Sequence, residues 1–341
     1  MNKRYIASVC ALITLLAGIF GGVAYYEYRL NKEREAELAK QATEHTIWTD
    51  ENTIYLDDKV FGFDHRMETF LFIGTDNSGN EDGEGEDYHG AMADFLLLMV
   101  MDHTDKTYGY IQIDRNTVTE INAIPADGIV HGIQDQQICT AHYYGKDRTQ
   151  SAENTVDAVK YLLGELDHID GYYVLNMADI GLLNGEIGGV EVKIEDDMTN
   201  VDPAFVKGTT ITLTDDQAEA FVRARMSVGE GDNASRMRRQ KTYMNSFFKK
   251  AKEKTLENPK FAGQLWNALK EVAVTDMKGN DFSRIAEMFL NGETKGIQQF
   301  DGTHAMGTAL DDGKEHEEFY PEVESIVEVM TDLFSLQLVE E

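Results

Sequence analysis

The sequence predicts an α/β domain of the α+β kind, a mixed central β-sheet layered by helices, preceded by a single N-terminal transmembrane helix. Three observations predict it. Short apolar runs alternate with amphipathic helical patterns from Thr69 onward, the pattern of a sheet covered by helices. Apolar content of 42% with only four prolines supports a full core rather than a disordered chain. The first 26 residues carry Lys3 and Arg4 and then 22 uncharged residues from Tyr5 to Tyr26.

That uncharged run matches the ~20 residues a helix needs to cross the hydrocarbon core, and its basic flank orients the N-terminus inward. A cleavable signal peptide, with Gly22 and Ala24 at the cleavage site, is the competing reading. The anchor is favoured because the run exceeds the usual ~7 to 15 residue signal core. Residues 1–26 are therefore expected to be anchor, 27–53 a charged stalk, and the rest extracytoplasmic. Cys10 and Cys139 are too far apart in role for an internal disulfide.

Within the domain, expected over 54–258, TFLFIGTD (69–76) reads as a buried strand delivering Asp76 at its end. ADFLLLMVMD and YGYIQIDR read as antiparallel neighbours joined by HTDKT, which puts Asp94 and Arg115 at the same sheet edge. Ser151 caps an amphipathic helix closed by Gly164. GYYVLNM, ADIGLLNGEIGG and VEVKI read as strand, helix, strand; Thr214 caps the next helix, and a longer one opens at Ser235. The segment 259–341 is expected as a helical extension packed on the domain, ending in YPEVESIVEVMTDLF.

The charge balance narrows the function. With 61 acidic against 31 basic residues, the net charge of −30 argues against a nucleic-acid surface. Yet five of the twelve arginines (Arg223, Arg225, Arg236, Arg238, Arg239) fall within seventeen positions. Such a cluster repels itself unless an anion sits against it, and a helix N-terminus favours anions. Arg236 and Arg239 are three apart and share a helix face, while Arg238 points elsewhere. The anion is either a ligand or the nearby Asp215, Asp216, Glu219, Glu230 and Asp232.

The order of motifs bears on that choice. GTD (74–76), GAMAD (90–94), DRNTVTEI (114–121), AHYYGKD with the following helix, LNGEIGGVEV (183–192), VRAR (222–225) and RMRRQ (236–240) together resemble the LytR-CpsA-Psr family of cell-wall phosphotransferases. The resemblance implies an extracytoplasmic domain with a polyprenyl-pyrophosphate pocket. It implies transfer of a phosphoglycan, of the teichoic acid or capsular polysaccharide type, from its polyprenyl-pyrophosphate carrier to peptidoglycan. Asp76 and Asp94 match the family's Mg²⁺ carboxylates, and Arg115, Arg223, Arg225, Arg236 and Arg239 its pyrophosphate-facing arginines. Gln240 matches a positioning hydrogen-bond donor, and Asp94, Arg115 and Asn116 the reacting centre.

Three positions depart from the family pattern. Asn116 stands where the Arg-Asp-Thr motif has aspartate, Met92 replaces an arginine two before Asp94, and Asn233 replaces an aspartate three before Arg236. If one of those carboxylates is the base, Asp94 or metal-bound water would have to serve. These departures leave a second reading open, a non-catalytic polyprenyl-pyrophosphate-binding or regulatory protein. A pyrophosphatase with water as acceptor is a third. The acidic loop Glu81 to Asp87 lacks EF-hand spacing, and His89, His131 and His142 have no metal-pair spacing. The runs LFIG and FLLLMVM read first as ordinary core and second as the wall of a lipid groove.

Overall fold

The computed structural model describes residues 53–340 except 57–58, 77, 82, 84–86, 168, 225–227, 229–232 and 311. The expected anchor and nearly all of the stalk, Arg225 and most of the acidic loop from Glu81 to Asp87 lie outside the described residues. Among the described residues no helix is long and apolar enough to cross a membrane.

A hairpin of β1 (Thr53–Leu56) and β2 (Lys59–Gly62) opens the chain. Then β3 (Met67–Thr75), β4 (Ala93–Asp102) and β5 (Thr107–Ile113) form an antiparallel meander, with Leu96 opposite Ile113 and Gly74 opposite Phe95. A second hairpin, β6 (Val118–Ala123) with β7 (Gly132–Gln137), leads through a 3₁₀ turn, Ile138–Tyr143, to α1 (Arg148–Leu162). β8 (Gly171–Asn176) runs parallel to β3 and is followed by α2 (Ile180–Ile187). The short pair β9 (Glu191–Lys193) and β10 (Thr210–Thr212) precedes α3 (Asp215–Arg223) and the long α4 (Asn233–Glu257).

The remainder is less purely helical than the sequence suggests. It contains α5 (Phe261–Leu269), β11 (Val274–Thr275), α6 (Gly279–Asn291), β12 (Glu293–Gln298), the hairpin β13 (Gly302–Gly307) and β14 (His316–Pro321), α7 (Val323–Phe334) and β15 (Gln337–Glu340). β11 and β12 close the two edges of the central sheet, whose order is β11-β8-β3-β4-β5-β12, and β15 pairs with β2. The expected boundary at 258/259 thus does not separate an extension from the domain. These strands are short, polar and half-exposed, and without an apolar run they lack the usual signature.

The central sheet is buried on both faces. Leu96, Leu98 and Val100 join one core with Ile111, Val159 and Phe334, while Leu97, Met99 and Met101 join the other with Tyr110, Phe247 and Leu265. Alternate residues of β4 therefore face opposite helical layers, and this double burial requires the uninterrupted apolar run FLLLMVM. Local signals explain most helix starts. Thr214 forms a capping box with Gln217 at α3. The cap of α1 is Asp147, whose side chain accepts from Gln150 N, rather than Ser151, which is buried and accepts from or donates to Tyr88 Oη at 2.8 Å.

One clamp ties the late helices to the first sheet strand. Glu68 on β3 accepts from His103 Nε2 at 2.9 Å and from Arg284 Nε of α6 at 2.7 Å. Burial alone would raise the Glu68 carboxyl, but these hydrogen bonds and charges prevail and hold it at about 2, against an ordinary 4.5. Its folded value lies below its unfolded one, so its contribution is present above about 4.5 and is lost as pH falls toward about 2. Glu68→Gln is expected to lower the urea midpoint at neutral pH, and the gap to the parent should close across that acid window. A gap that stays constant with pH would refute the clamp.

Candidate functional site

Three segments remote in sequence meet at the ends of β3, β4 and β5. Asp94 is the second residue of β4. Arg115 and Asn116 lie in the turn after β5, fixed by Thr117 N donating to Asp114 O and Asn116 N to Asp114 Oδ1. Asn233 and Arg236 occupy the first turn of α4, which starts two residues earlier than its sequence pattern suggests.

Asp94 stands between two guanidinium groups. Arg236 Nη1 donates to Asp94 Oδ2 at 3.0 Å, and Arg115 Nη1 lies 2.8 Å from Oδ1. The second contact is not aligned as a hydrogen bond, so Asp94 Oδ1 is a buried oxygen without a hydrogen-bond donor, and Arg115 Nε is a buried donor without an acceptor. Arg115 Nη2 instead faces sulfur, 2.9 Å from Cys139 Sγ and 3.3 Å from Met92 Sδ. Burial alone would lower the Arg115 pKa, but Cys139 and Asp94 prevail and raise it above its usual value. It is a permanent cation. Burial in turn pushes the Cys139 thiol up, against the pull of Arg115.

A second layer holds Arg236. Asn233 Oδ1 accepts from its Nε at 3.1 Å and Nη2 at 2.5 Å, while Asn233 Nδ2 donates to Asp114 Oδ1 at 2.6 Å. Burial raises the Asp114 carboxyl, against the hydrogen bonds from Asn116 and Asn233. Arg115 and Arg236 therefore share Asp94, with the buried Asp114 carboxyl behind Asn233. Two guanidinium groups held side by side suit an anion.

The other predicted residues are placed differently. Arg239 is buried, but its Nε donates to Phe221 O at 3.1 Å and its Nη2 to Ala224 O, which ties α4 to the last turn of α3. Arg223 makes a half-exposed i,i+4 pair with Glu219 at 2.5 Å. Arg238 is exposed and donates to Ser235 Oγ at 2.8 Å, off the shared face of Arg236 and Arg239 as expected. Gln240 is buried, donating to Val222 O at 3.5 Å and accepting from Gln112 Nε2 at 3.4 Å. Asp76 follows a bulge in the β3–β4 register and its Oδ1 accepts from Ser78 N, Ser78 Oγ and Met92 N at 2.9, 2.5 and 3.2 Å. His142 is a packing residue, buried with Nδ1 2.8 Å from Ala91 O, and burial lowers its pKa.

Beside this polar cluster lies an apolar cavity of about 220 Å³ between the sheet and α4, α5 and α6. Phe72, Phe95 and Leu97 line it from the sheet, Tyr243, Phe247 and Trp266 from the helices. A dry cavity of ~150 Å³ already admits a benzene-sized molecule. Gly74, Phe95 and Gln240 also line it, so it abuts the strand ends that bear Asp76 and Asp94 and the helix turn that bears Arg236. A side chain at Gly74 would meet Phe95 Cβ at 2.9 Å, which keeps that end open only to glycine. Phe72, Ile73 and Gly74 of LFIG and Phe95, Leu97 and Met99 of FLLLMVM line the cavity. Strand periodicity could not reveal it, since core and cavity wall have the same composition.

Comparison with known proteins places these features. Residues 26–328 match the profile of the LytR_cpsA_psr family. The chain is 26% identical over 218 residues, 64% of its length and 66% of the relative's, to a polyisoprenyl-teichoic acid–peptidoglycan teichoic acid transferase TagU of Halalkalibacterium halodurans. It is 26% identical over 250 residues, 73% of its length and 72% of the relative's, to a protein of the same name from Bacillus anthracis. The chain thus spans about two thirds of the first relative's length. Among solved structures, it superposes on B. subtilis TagV with a TM-score of 0.58 at 18% identity, covering 80% of this chain and 98% of that one. It superposes on TagT bound to LI-WTA with a TM-score of 0.55 at 19% identity, covering 78% and 89%. These structural likenesses establish the mixed-sheet α/β fold.

The placements of Arg239 and Arg223 separate by stability. Arg239→Ala strands two buried carbonyl contacts and is expected to lower the unfolding free energy by about 1–3 kcal/mol. Arg223→Ala removes a solvent-screened pair and should cost under about 1 kcal/mol. Urea denaturation of both variants checks this, and equal costs would refute it.

Proposed function

Since the chain belongs to the LytR_cpsA_psr family, we propose that it is a cell-wall glycopolymer phosphotransferase. It would move a phosphoglycan of the teichoic acid or capsular polysaccharide type from a polyprenyl-pyrophosphate carrier to a peptidoglycan hydroxyl. The observation that carries this reading is the adjacency of an apolar cavity and a cluster of guanidinium groups at the ends of the same strands. A polyprenyl pyrophosphate has that division, an apolar tail joined to a dianionic or trianionic head. Phosphoryl transfer depends on positioning and charge neutralisation more than on a covalent nucleophile.

In this reading Arg115 and Arg236 bind the pyrophosphate, and Arg115 Nε, which has no acceptor in the apo site, donates to a phosphate oxygen. Arg115 and Arg236 then stabilise charge on the departing polyprenyl phosphate. Gln240 marks the junction of head and tail. Arg225, outside the described residues, is kept as a pyrophosphate ligand on the resemblance alone.

The family also implies Mg²⁺. Asp94 Oδ1, a buried oxygen without a hydrogen-bond donor, fits a hard cation, and Asp76 Oδ2 lies at the end of the neighbouring strand. Asp76 and Asp94 would hold the ion, which supplies charge neutralisation on the phosphate oxygens when bound. The run from Tyr5 to Tyr26 is proposed as a single-pass anchor with the domain extracytoplasmic, close to a lipid-borne donor.

A second reading keeps the pocket and dispenses with transfer. It is favoured by Met92, which puts sulfur against Arg115 Nη2, and by the amides of Asn116 and Asn233. One assay separates the two. The full chain, Mg²⁺, a polyprenyl-pyrophosphate-linked disaccharide and a peptidoglycan oligosaccharide are expected to yield a phosphodiester product by mass spectrometry. Arg115→Ala should lower its rate about 10²-fold or more in protein that remains folded by circular dichroism, and chelation should abolish it. Tight donor binding without product would establish the binder instead.

A further inference from the structure

The transferase reading leaves open which group accepts the proton of the acceptor hydroxyl. Both oxygens of Asp94 already face guanidinium groups, Oδ1 that of Arg115 at 2.8 Å and Oδ2 that of Arg236 at 3.0 Å. Asp114 is 6% exposed, and its Oδ1 is committed to Asn233 Nδ2 and Asn116 N. Asp76 Oδ1 takes three donors of its own loop.

One further carboxylate reaches the cluster, from the segment the sequence presents as a mere extension. The β13–β14 hairpin is docked on the turn after β5 by Phe319 N donating to Asn116 O at 2.9 Å, by Gln137 Nε2 donating to Glu317 O at 3.1 Å, and by a bridge between Thr117 and Phe319. This docking places Glu317 Oε2 3.2 Å from Asn116 Nδ2, which donates to it. The other oxygen, Oε1, is 3.6 Å from His304 Nδ1 on β13, whose ring packs on Phe319 at 4.8 Å. The Glu317 side chain is 28% exposed, so solvent reaches a carboxylate that Asn116 orients.

We propose that Glu317 is the general base of the transfer, held by Asn116 and backed by His304. The inference rests on the transferase reading. In the step, Glu317 takes the proton from the acceptor hydroxyl as its oxygen bonds to the glycan-bearing phosphorus. The bond from that phosphorus to the bridging oxygen breaks, and polyprenyl phosphate leaves with the electron pair. Glu317 then loses its proton to water, with the half-exposed His304 as the adjoining acceptor. Asn116 is a positioning residue in this scheme. Its amide fixes a carboxylate where a carboxylate at 116 itself would repel Glu317.

The test compares the full-length parent, Glu317→Gln, and the exchange Asn116→Asp/Glu317→Gln, which moves the carboxylate across the same hydrogen bond. Each is assayed for transfer with the polyprenyl-pyrophosphate-linked disaccharide, for binding of that donor, and for melting temperature. The proposal expects Glu317→Gln to lose about 10²-fold or more in kcat with donor binding and melting unchanged, and the exchange to recover at least tenfold of that loss. If the parent transfers and Glu317→Gln keeps its kcat, the base assignment fails while the transferase reading stands. If donor binding or melting falls in parallel with kcat, Glu317 is structural and the proposal is overturned. A parent that binds donor and never transfers overturns the transferase reading, and this inference with it.

Discussion

The site depends on the shared ion pair of Asp94 with Arg115 and Arg236. Those three residues come from β4, from the turn after β5 and from the first turn of α4, so the pair fixes where the long helix meets the sheet. Buried charges are costly to desolvate, and a well-packed apolar triad is often at least as stable. Stability alone is therefore a weak reason for one carboxylate to be held between two guanidiniums at 4% and 11% side-chain exposure. The phosphate-bearing ligand proposed above would give a stronger one, since a phosphate suits paired guanidinium groups.

The position of α4 has a second consequence. Once Arg236 is tied to Asp94, the next turns of the helix carry Gln240, Tyr243 and Phe247 across the sheet face, and the space between them and Phe95 and Leu97 is the apolar cavity. The charged cluster and the cavity wall thus take two stretches of one helix. Arg239 belongs to the same construction through the carbonyls of Phe221 and Ala224, which set α3 against α4.

Much of this was legible in the residues. The meander that aligns Asp94 with Arg115 follows from two apolar runs and a five-residue polar link, and Arg236 and Arg239 share a face because they are three apart on a helix. The division of labour among the arginines was not legible. Whether a guanidinium hydrogen-bonds a carboxylate, as in Arg236, or the carbonyls of a helix end, as in Arg239, depends on tertiary placement that spacing does not encode. The tail was misread because β11, β12 and the β13–β14 hairpin are short and polar, and because β11 and β12 pair with β8 and β5, far back in the chain. Glu317 was invisible for the same reason. Nothing local connects it to Asn116, yet the hairpin brings the two within hydrogen-bond distance.

The most direct measurement is a crystal structure of the chain with a short-chain polyprenyl pyrophosphate. The account predicts the diphosphate against Arg115 and Arg236, with Arg115 Nε now donating to it, and the hydrocarbon tail running past Gln240 into the cavity against Phe95 and Phe247. A ligand bound elsewhere, with Asp94 still alone between the two guanidiniums and the cavity empty, would contradict it.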